Sequence, residues 1–284
     1  MTERRPLRAL WMGMATAIGL ARRGFFIPYR YAGTLPEPGR NPPYAEIESI
    51  LADAMPEMSE LLDFMRELEA NIEAIGDDNP PEPRWNQYWF PGLDAAAAYA
   101  MTRRHAPARI IEVGAGHSTR FFARAVRDGQ LATKITAIDP APRATLAGLD
   151  INLVRTTLHE AGTDTFATLQ PGDFLFIDSS HILMPGSDVD LLLNRVLPAL
   201  PDGVFVHIHD IFLPDDYPAG WSWRGYNEQQ GVAPLLFGGG FRPMFASHYL
   251  RTRKSDLLKG RVFSHIAPPH DALEASLWLR KGSG

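Results

Sequence analysis

Residues 109–120, Arg-Ile-Ile-Glu-Val-Gly-Ala-Gly-His-Ser-Thr-Arg, constrain the fold of this chain more than any other stretch. Arg109 to Val113 reads as a buried strand. Gly114 and Gly116 give a turn in which the backbone can reverse sharply and come close to a ligand. Ser118 and Thr119 then open an apolar helix, Arg120 to Val126, whose first N–H groups have no partner inside the helix and face the same space. A strand, a glycine turn and a helix in this order begin an α/β unit, and such sheets bind ligands at the carboxyl ends of their strands.

The alternation continues downstream. Strands are expected at Lys134 to Ile138, Ile151 to Val154, Asp173 to Ile177 and Val204 to Ile208, with helices between them, for example Ser187 to Leu200. Two further strand-like runs, Arg242 to Leu250 and Ala275 to Lys281, follow a long polar-aromatic loop. The chain therefore reads as a Rossmann-like α/β fold: a seven-stranded, mostly parallel sheet with helices on both faces.

The first 83 residues read as an N-terminal extension, helical and aromatic, that docks or acts as a lid, and residues 84–284 as the α/β domain. Residues 9–21 are a short apolar helix, preceded by Arg4, Arg5 and Arg8, and are too short to span a bilayer. Residues 24–46 form a proline- and glycine-rich aromatic arm, and 45–75 a methionine- and leucine-striped helix interrupted near Pro56. Asp77 to Pro83 is a polar joint. Arg84-Trp-Asn-Gln-Tyr-Trp-Phe-Pro91 reads equally as a pocket mouth or as a hydrophobic plug, and Leu93 to Arg104 as a helix leading into the first strand. The formal net charge of −5 argues against nucleic-acid binding by phosphate neutralisation. No cysteine is present, which removes disulfides, thiolate metal sites and a cysteine nucleophile. A cytoplasmic protein without stable membrane insertion is expected, with the extension as a surface for homo-oligomer formation.

The glycine turn narrows the ligand. A dinucleotide site wants a third glycine where this chain has Thr119, and Glu112 just before the turn would repel a pyrophosphate. A cationic ligand without phosphate fits better, such as the amino group and sulfonium of S-adenosylmethionine. The residues Glu112-Val-Gly-Ala-Gly-His-Ser-Thr-Arg120 resemble the first motif of the class I S-adenosylmethionine-dependent methyltransferases, in the bacterial form grouped as methyltransferase family 24. The resemblance covers roughly residues 84–250, and Arg22-Arg-Gly-Phe-Phe-Ile-Pro-Tyr-Arg30 is also similar to members of that branch. It implies that a late strand inserts antiparallel into the sheet. It also implies that Gly114 and Gly116 border the methionine part of the cofactor, with Glu112, His117, Ser118 and Thr119 around the turn. Asp139, at the end of the second strand, is positioned to accept from both hydroxyls of a ribose; otherwise it caps the following Asp-Pro turn.

Asp178-Ser-Ser-His181 follows the fourth strand, and His207-Ile-His209-Asp210 ends the fifth. In the family that the motif resembles, the first of these positions faces the transferred methyl group. Asp178, His181 and His209 are thus the candidate catalytic residues. Asp178 and Asp210 are candidate ligands of a divalent metal, and magnesium, manganese or iron are the ions considered. Metal-dependent O-methyltransferases usually carry Asp-Asp or Asp-Asn at the second position, whereas Asp210 lies between His209 and Ile211. A general base without metal is the competing reading. Period-two spacing puts His207 and His209 on one face of a strand, and both also fit a hydrogen-bonded core. In the loop that follows, Tyr217, Trp221, Arg224 and Tyr226 are candidate substrate residues. The expected activity is methyl transfer to a hydroxyl or amine of a small-molecule acceptor. The alternatives are a metal-dependent oxygenase or hydroxylase on the same scaffold, and a non-catalytic cofactor-binding partner subunit.

Overall fold

The computed structural model describes residues 7–76 and 79–282. Arg4, Arg5 and the first two residues of the 77–83 joint lie outside them. The chain divides into two compact units: residues 43–214 with 227–284, and residues 1–42 with 215–226.

The larger unit is built on one seven-stranded sheet. Its strands are β1 (Arg109–Val113), β2 (Lys134–Ile138), β3 (Asn152–Val154), β4 (Phe174–Ile177), β5 (Phe205–Ile208), β6 (Phe241–Ala246) and β7 (Leu277–Lys281). They lie in the order β3-β2-β1-β4-β5-β7-β6. Strands β1 to β5 are parallel, and β7 enters antiparallel between β5 and β6, as the resemblance implied. Both edges suit their position: β3 is three residues long, and β6 holds Pro243, which an edge strand tolerates. The order runs outward in both directions from the β1–β4 pair. Right-handed crossovers then place helices on opposite faces of the sheet and open a crevice at the carboxyl ends of β1 and β4.

Helices α1 (Leu7–Ala17), α2 (Ala45–Asp53), α3 (Met55–Glu67), α4 (Glu69–Glu73), α5 (Gly92–His105) and α6 (His117–Asp128) precede or follow β1. The long run expected over 45–75 is three helices. It breaks at Ala54 and again at Leu68, and Pro56 lies in the first turn of α3, where its missing N–H is not needed. Met58, Leu61, Leu62 and Met65 form the buried stripe of α3, which packs on α5, so these helices share the sheet's core. Alanine-rich α5 is buried from Gly92 to Thr102, because α3 and α6 both pack on it.

One expected strand is shorter than its sequence suggests. The run from Arg242 to Leu250 turns at Ser247 into the helix Ser247–Arg253. Ser247 N–H donates to Ser276 O, its hydroxyl donates to the buried Asp94, and Tyr249 and Leu250 are buried from the helix. Local alternation could not reveal a partner 153 residues away.

The smaller unit holds α1, an aromatic arm and the loop 215–226. Asn41 Nδ2 donates to Asp216 Oδ2 (2.7 Å). No helix among the described residues is long and apolar enough to cross a membrane.

Candidate functional site

The carboxyl ends of β1 and β4 touch through Gly114. Its φ is +84°, and a Cβ there would collide with the Asp178 carbonyl oxygen. Gly114 N–H donates to Ile138 O and Asp178 N–H to Val113 O, so three strand ends meet in this turn. Gly116 has only open space where a Cβ would be. The first glycine therefore serves close packing, and the second keeps room above the turn.

Glu112, Ser118 and Thr119 are all buried and bind one another. Ser118 Oγ–H donates to Glu112 Oε1, and Thr119 Oγ1–H donates to Glu112 Oε2 (2.6 Å). Gly116 N–H donates to Thr119 Oγ1 (2.9 Å), so that α6 is capped at Gly116, two residues earlier than Ser118 would cap it. Burial pushes the Glu112 carboxyl up to about 8, although the two hydroxyls work against that rise. It is then protonated at neutral pH and contributes structure rather than charge. His117, half-buried, is the first residue of α6. Asp139 reaches the turn from β2: Oδ2 accepts from Ala115 N (2.7 Å) and Oδ1 from Ala141 N (2.7 Å). It thus caps the Asp-Pro turn, and each oxygen keeps a further lone pair for a ligand hydroxyl.

The ends of β4 and β5 bring Asp178, His181 and Asp210 together. His181 is 4% exposed and adopts a left-handed backbone, φ +60°; Asp210 does the same, φ +56°. Two non-glycine residues in that region at adjacent strand ends mark backbone held by its surroundings. His181 Nε2 lies 3.2 Å from Asp178 Oδ1 and 3.4 Å from Asp210 Oδ2, and Nδ1 is 2.9 Å from Glu228 Oε2. Glu228 is fully buried and opens the helix Glu228–Phe237. Burial alone would lower the His181 pKa, but hydrogen bonds to Asp178 and Glu228 and the charge of Asp210 raise it well above the ordinary value. His181 is an imidazolium with both N–H groups donating. Burial likewise works to raise Asp178, yet the His181 hydrogen bond, with His209 and Arg143 nearby, holds it below the usual value. Asp178 is therefore ionised, with its side chain 40% exposed. It is the accessible carboxylate of the group.

Sequence reasoning gave Glu228 no role. It lies 47 residues beyond His181, and no spacing rule links the two. Asn227 fixes the same loop: its side chain accepts from Leu183 N and donates to Leu183 O, and its N–H donates to His181 O.

The two strand-five histidines diverge. His207 stacks face to face on Phe176 at 3.9 Å and pairs with Ser276 Oγ (2.8 Å). Burial, then His209, depress its pKa well below the ordinary value, so it is a neutral core residue. His209 Nε2–H donates to the Trp89 carbonyl (3.0 Å), which ties the loop 84–91 to the end of β5. Burial lowers its pKa, but Asp210, Asp178 and Asp94 raise it overall. The aromatic side chains of this loop divide between core and surface. Trp85 and Phe90 are buried, Phe90 against Phe121, Phe176 and His209. Tyr88 and Trp89 are exposed and line a cavity of about 700 Å³ with Arg84, Asn86, Gln87 and His265. The Arg143 guanidinium sits over the Trp89 ring at 4.7 Å.

The expected metal ligands are placed otherwise than a cation requires. Asp178 Oδ1 and Asp210 Oδ2 both face Nε2 of His181, at 3.2 and 3.4 Å. Among the described residues no group of three or more His, Asp or Glu side chains is arranged to hold a metal. This donor set does not fit a divalent ion.

The candidate substrate residues Tyr217, Trp221, Arg224 and Tyr226 belong to the smaller unit. There the Arg224 guanidinium lies 4.2 Å from the Trp221 ring and donates to the Tyr226 hydroxyl (3.2 Å). Tyr217 and Trp221 each meet Tyr226 edge to face.

Comparison with known proteins gives a family for the segment that carries this site. Residues 111–211 match methyltransferase family 24, described as a methyltransferase domain. No curated protein matches. Among solved structures, the chain is similar to the SAH-bound methyltransferase PaMTH1 of Podospora anserina at 14% identity and a TM-score of 0.42, with 91% of this chain and 99% of that one covered. It is also similar to the O-methyltransferase TomG of Streptomyces achromogenes, in complex with SAM, at 15% identity and 0.41, covering 68% and 80%. A third is an O-methyltransferase of Bacillus cereus in complex with SAH, at 12% identity and 0.39, covering 78% and 91%. From the third residue of β1 to the residue after Asp210, the chain carries a segment of the family 24 methyltransferase type.

Proposed function

We propose that this domain transfers the sulfonium methyl of S-adenosylmethionine to a hydroxyl or amine of a small-molecule acceptor, and that Asp178 takes the acceptor's proton. The observation that carries the reading is the ionised, half-exposed Asp178 carboxylate hydrogen-bonded to an imidazolium that Glu228 holds from behind. When bound, the cofactor supplies a methyl group already activated for displacement. The residues that would hold it are those of the glycine turn and Asp139. The open space at Gly116 fits a ligand passing over the turn, and the free lone pairs of Asp139 fit a diol.

The chain's own work is positioning and proton transfer. The acceptor O–H or N–H gives its proton to a carboxylate oxygen of Asp178 as the bond from acceptor to methyl forms and the sulfonium–methyl bond breaks. His181 lies beside this oxygen with a full positive charge, which lowers the cost of negative charge developing on the acceptor. Glu228 and Asp210 keep His181 charged and in place, and His209 anchors the Trp89 loop beside it. No step needs a metal, so turnover after chelation is expected to equal that before it.

The test is calorimetric titration with S-adenosylmethionine, followed by an acceptor screen that detects the demethylated product of the cofactor. Micromolar binding and turnover of a hydroxyl- or amine-bearing compound are expected. Asp178→Asn should lower turnover by roughly a hundredfold or more and leave the cofactor Kd unchanged. Full activity of that variant overturns the assignment. Asp139→Ala should weaken cofactor binding by about tenfold, the loss of one or two hydrogen bonds.

A further inference from the structure

From Arg4 to Pro36 the sequence has six arginines and not one acidic residue. The whole chain has 28 basic and 33 acidic residues, so what lies outside this segment carries a formal charge of −11. The segment is also where the apolar surface is concentrated. Of the eighteen exposed large apolar side chains among the described residues, twelve fall within residues 7–35. On α1 and the turn that ends it, the exposed residues Leu7, Trp11, Met14 and Ile18 recur at three- and four-residue steps and form one stripe. Beyond the helix, Phe26 and Ile27 are 69% and 63% exposed, between Arg22–Arg23 and Arg30. The arginines lie over rings, Arg22 over Phe25 at 5.9 Å and Arg30 over Tyr31 at 5.5 Å.

We propose that residues 7–35 bind an anionic lipid surface, with the stripe of α1 and the exposed Phe25–Ile27 run in the headgroup boundary and the arginines against the lipid charges. The composition is that of an interfacial segment: an apolar stripe, aromatics suited to the boundary, arginine as the only charged residue type. An eleven-residue helix followed by Gly19, Gly24 and Pro28 lies on a bilayer and does not cross it. A second copy of the chain is a poorer occupant. Two such segments repel each other through their arginines. The rest of the described surface offers six exposed large apolar side chains to cover twelve.

Co-sedimentation of the full chain with vesicles tests this. Binding is expected to vesicles of phosphatidylcholine with 30 mol% phosphatidylserine, at least tenfold tighter than to phosphatidylcholine alone, and lost at 0.5 M salt. Replacing Arg22, Arg23 and Arg30 together by glutamine should weaken it by roughly a hundredfold. Trp11→Ser with Phe26→Ser should abolish it, while the circular dichroism of the chain stays unchanged. No binding to the anionic vesicles overturns the proposal, as does equal binding to both vesicle types. Light scattering that shows a stable oligomer, dispersed by Trp11→Ser with Phe26→Ser and unable to bind vesicles, assigns the surface to a second copy.

Discussion

The two glycines of the turn do different work, and substitution separates them. Gly114→Ala puts a Cβ into the Asp178 carbonyl at a left-handed φ, so the chain should lose about 2–4 kcal/mol of stability in urea unfolding. Gly116→Ala meets nothing, so the unfolding midpoint should stay within about 0.5–1 kcal/mol of the parent, while S-adenosylmethionine binds more weakly by calorimetry. Equal stability losses would show that the space above Gly116 is not kept for a ligand. At the other side of the crevice, Glu228→Gln removes one of the carboxylates that raise the His181 pKa. The pH at which the imidazolium is lost should then move down, visible in the pH profile of kcat. Turnover should fall by roughly ten- to a hundredfold with cofactor Kd unchanged. A Glu228 of purely structural importance would leave the profile in place.

At the scale of elements, the carboxyl edge depends on how α5 is pinned to β7. Asp94, in the first turn of α5, is fully buried and accepts from Ser247 Oγ and from the backbone N–H groups of Ala275 and Ser276. Glu274 accepts from Leu93 N and from Arg251 beside it. Asp94→Ala leaves several buried donors unpaired and should cost about 3 kcal/mol in chemical denaturation. The sequence shows α5 and β7 as separate periodic runs, and each forms close to its expected place. It does not show that they share a carboxylate, because the pairing spans 181 residues. The same connection ends β6 at Ala246, where local alternation would have carried the strand on to Leu250.

For the whole molecule, several buried groups tie stability to pH. Burial raises Glu112 from 4.5 to about 8 and Asp94 from 3.8 to about 6. The folded chain therefore binds more protons at these sites than the unfolded chain does between those values. Their contribution is fully present below the unfolded pKa and is lost as pH rises through the folded one, by at most about 1.4 kcal/mol per pH unit for each group. His181, also raised, acts in the same sense, whereas Asp178, held low, acts oppositely and only at acid pH. The melting temperature should fall from pH 7 to pH 8.5, above the range in which the lowered His207 and His105 act in the opposite sense, and Glu112→Gln should flatten that slope. A slope unchanged in the variant would mean that Glu112 ionises freely when folded.

The alternation of strands and helices from Arg109 on, the glycine turn and the chemistry gathered at the strand ends are legible before any folding, because they are written in local periodicity and in residues adjacent in the chain. Their strand ends also located Asp178, His181 and Asp210. What each side chain is bonded to was set by the packing of the fold. That packing turned Glu112, Ser118 and Thr119 into one buried network, put His207 in the core, and set Glu228 behind His181. It also placed Nε2 of His181 between the carboxylates of Asp178 and Asp210. Those outcomes depend on burial and on contacts between residues far apart in the chain, and a charged or polar side chain has no fixed role until its partners and its dielectric surroundings are set.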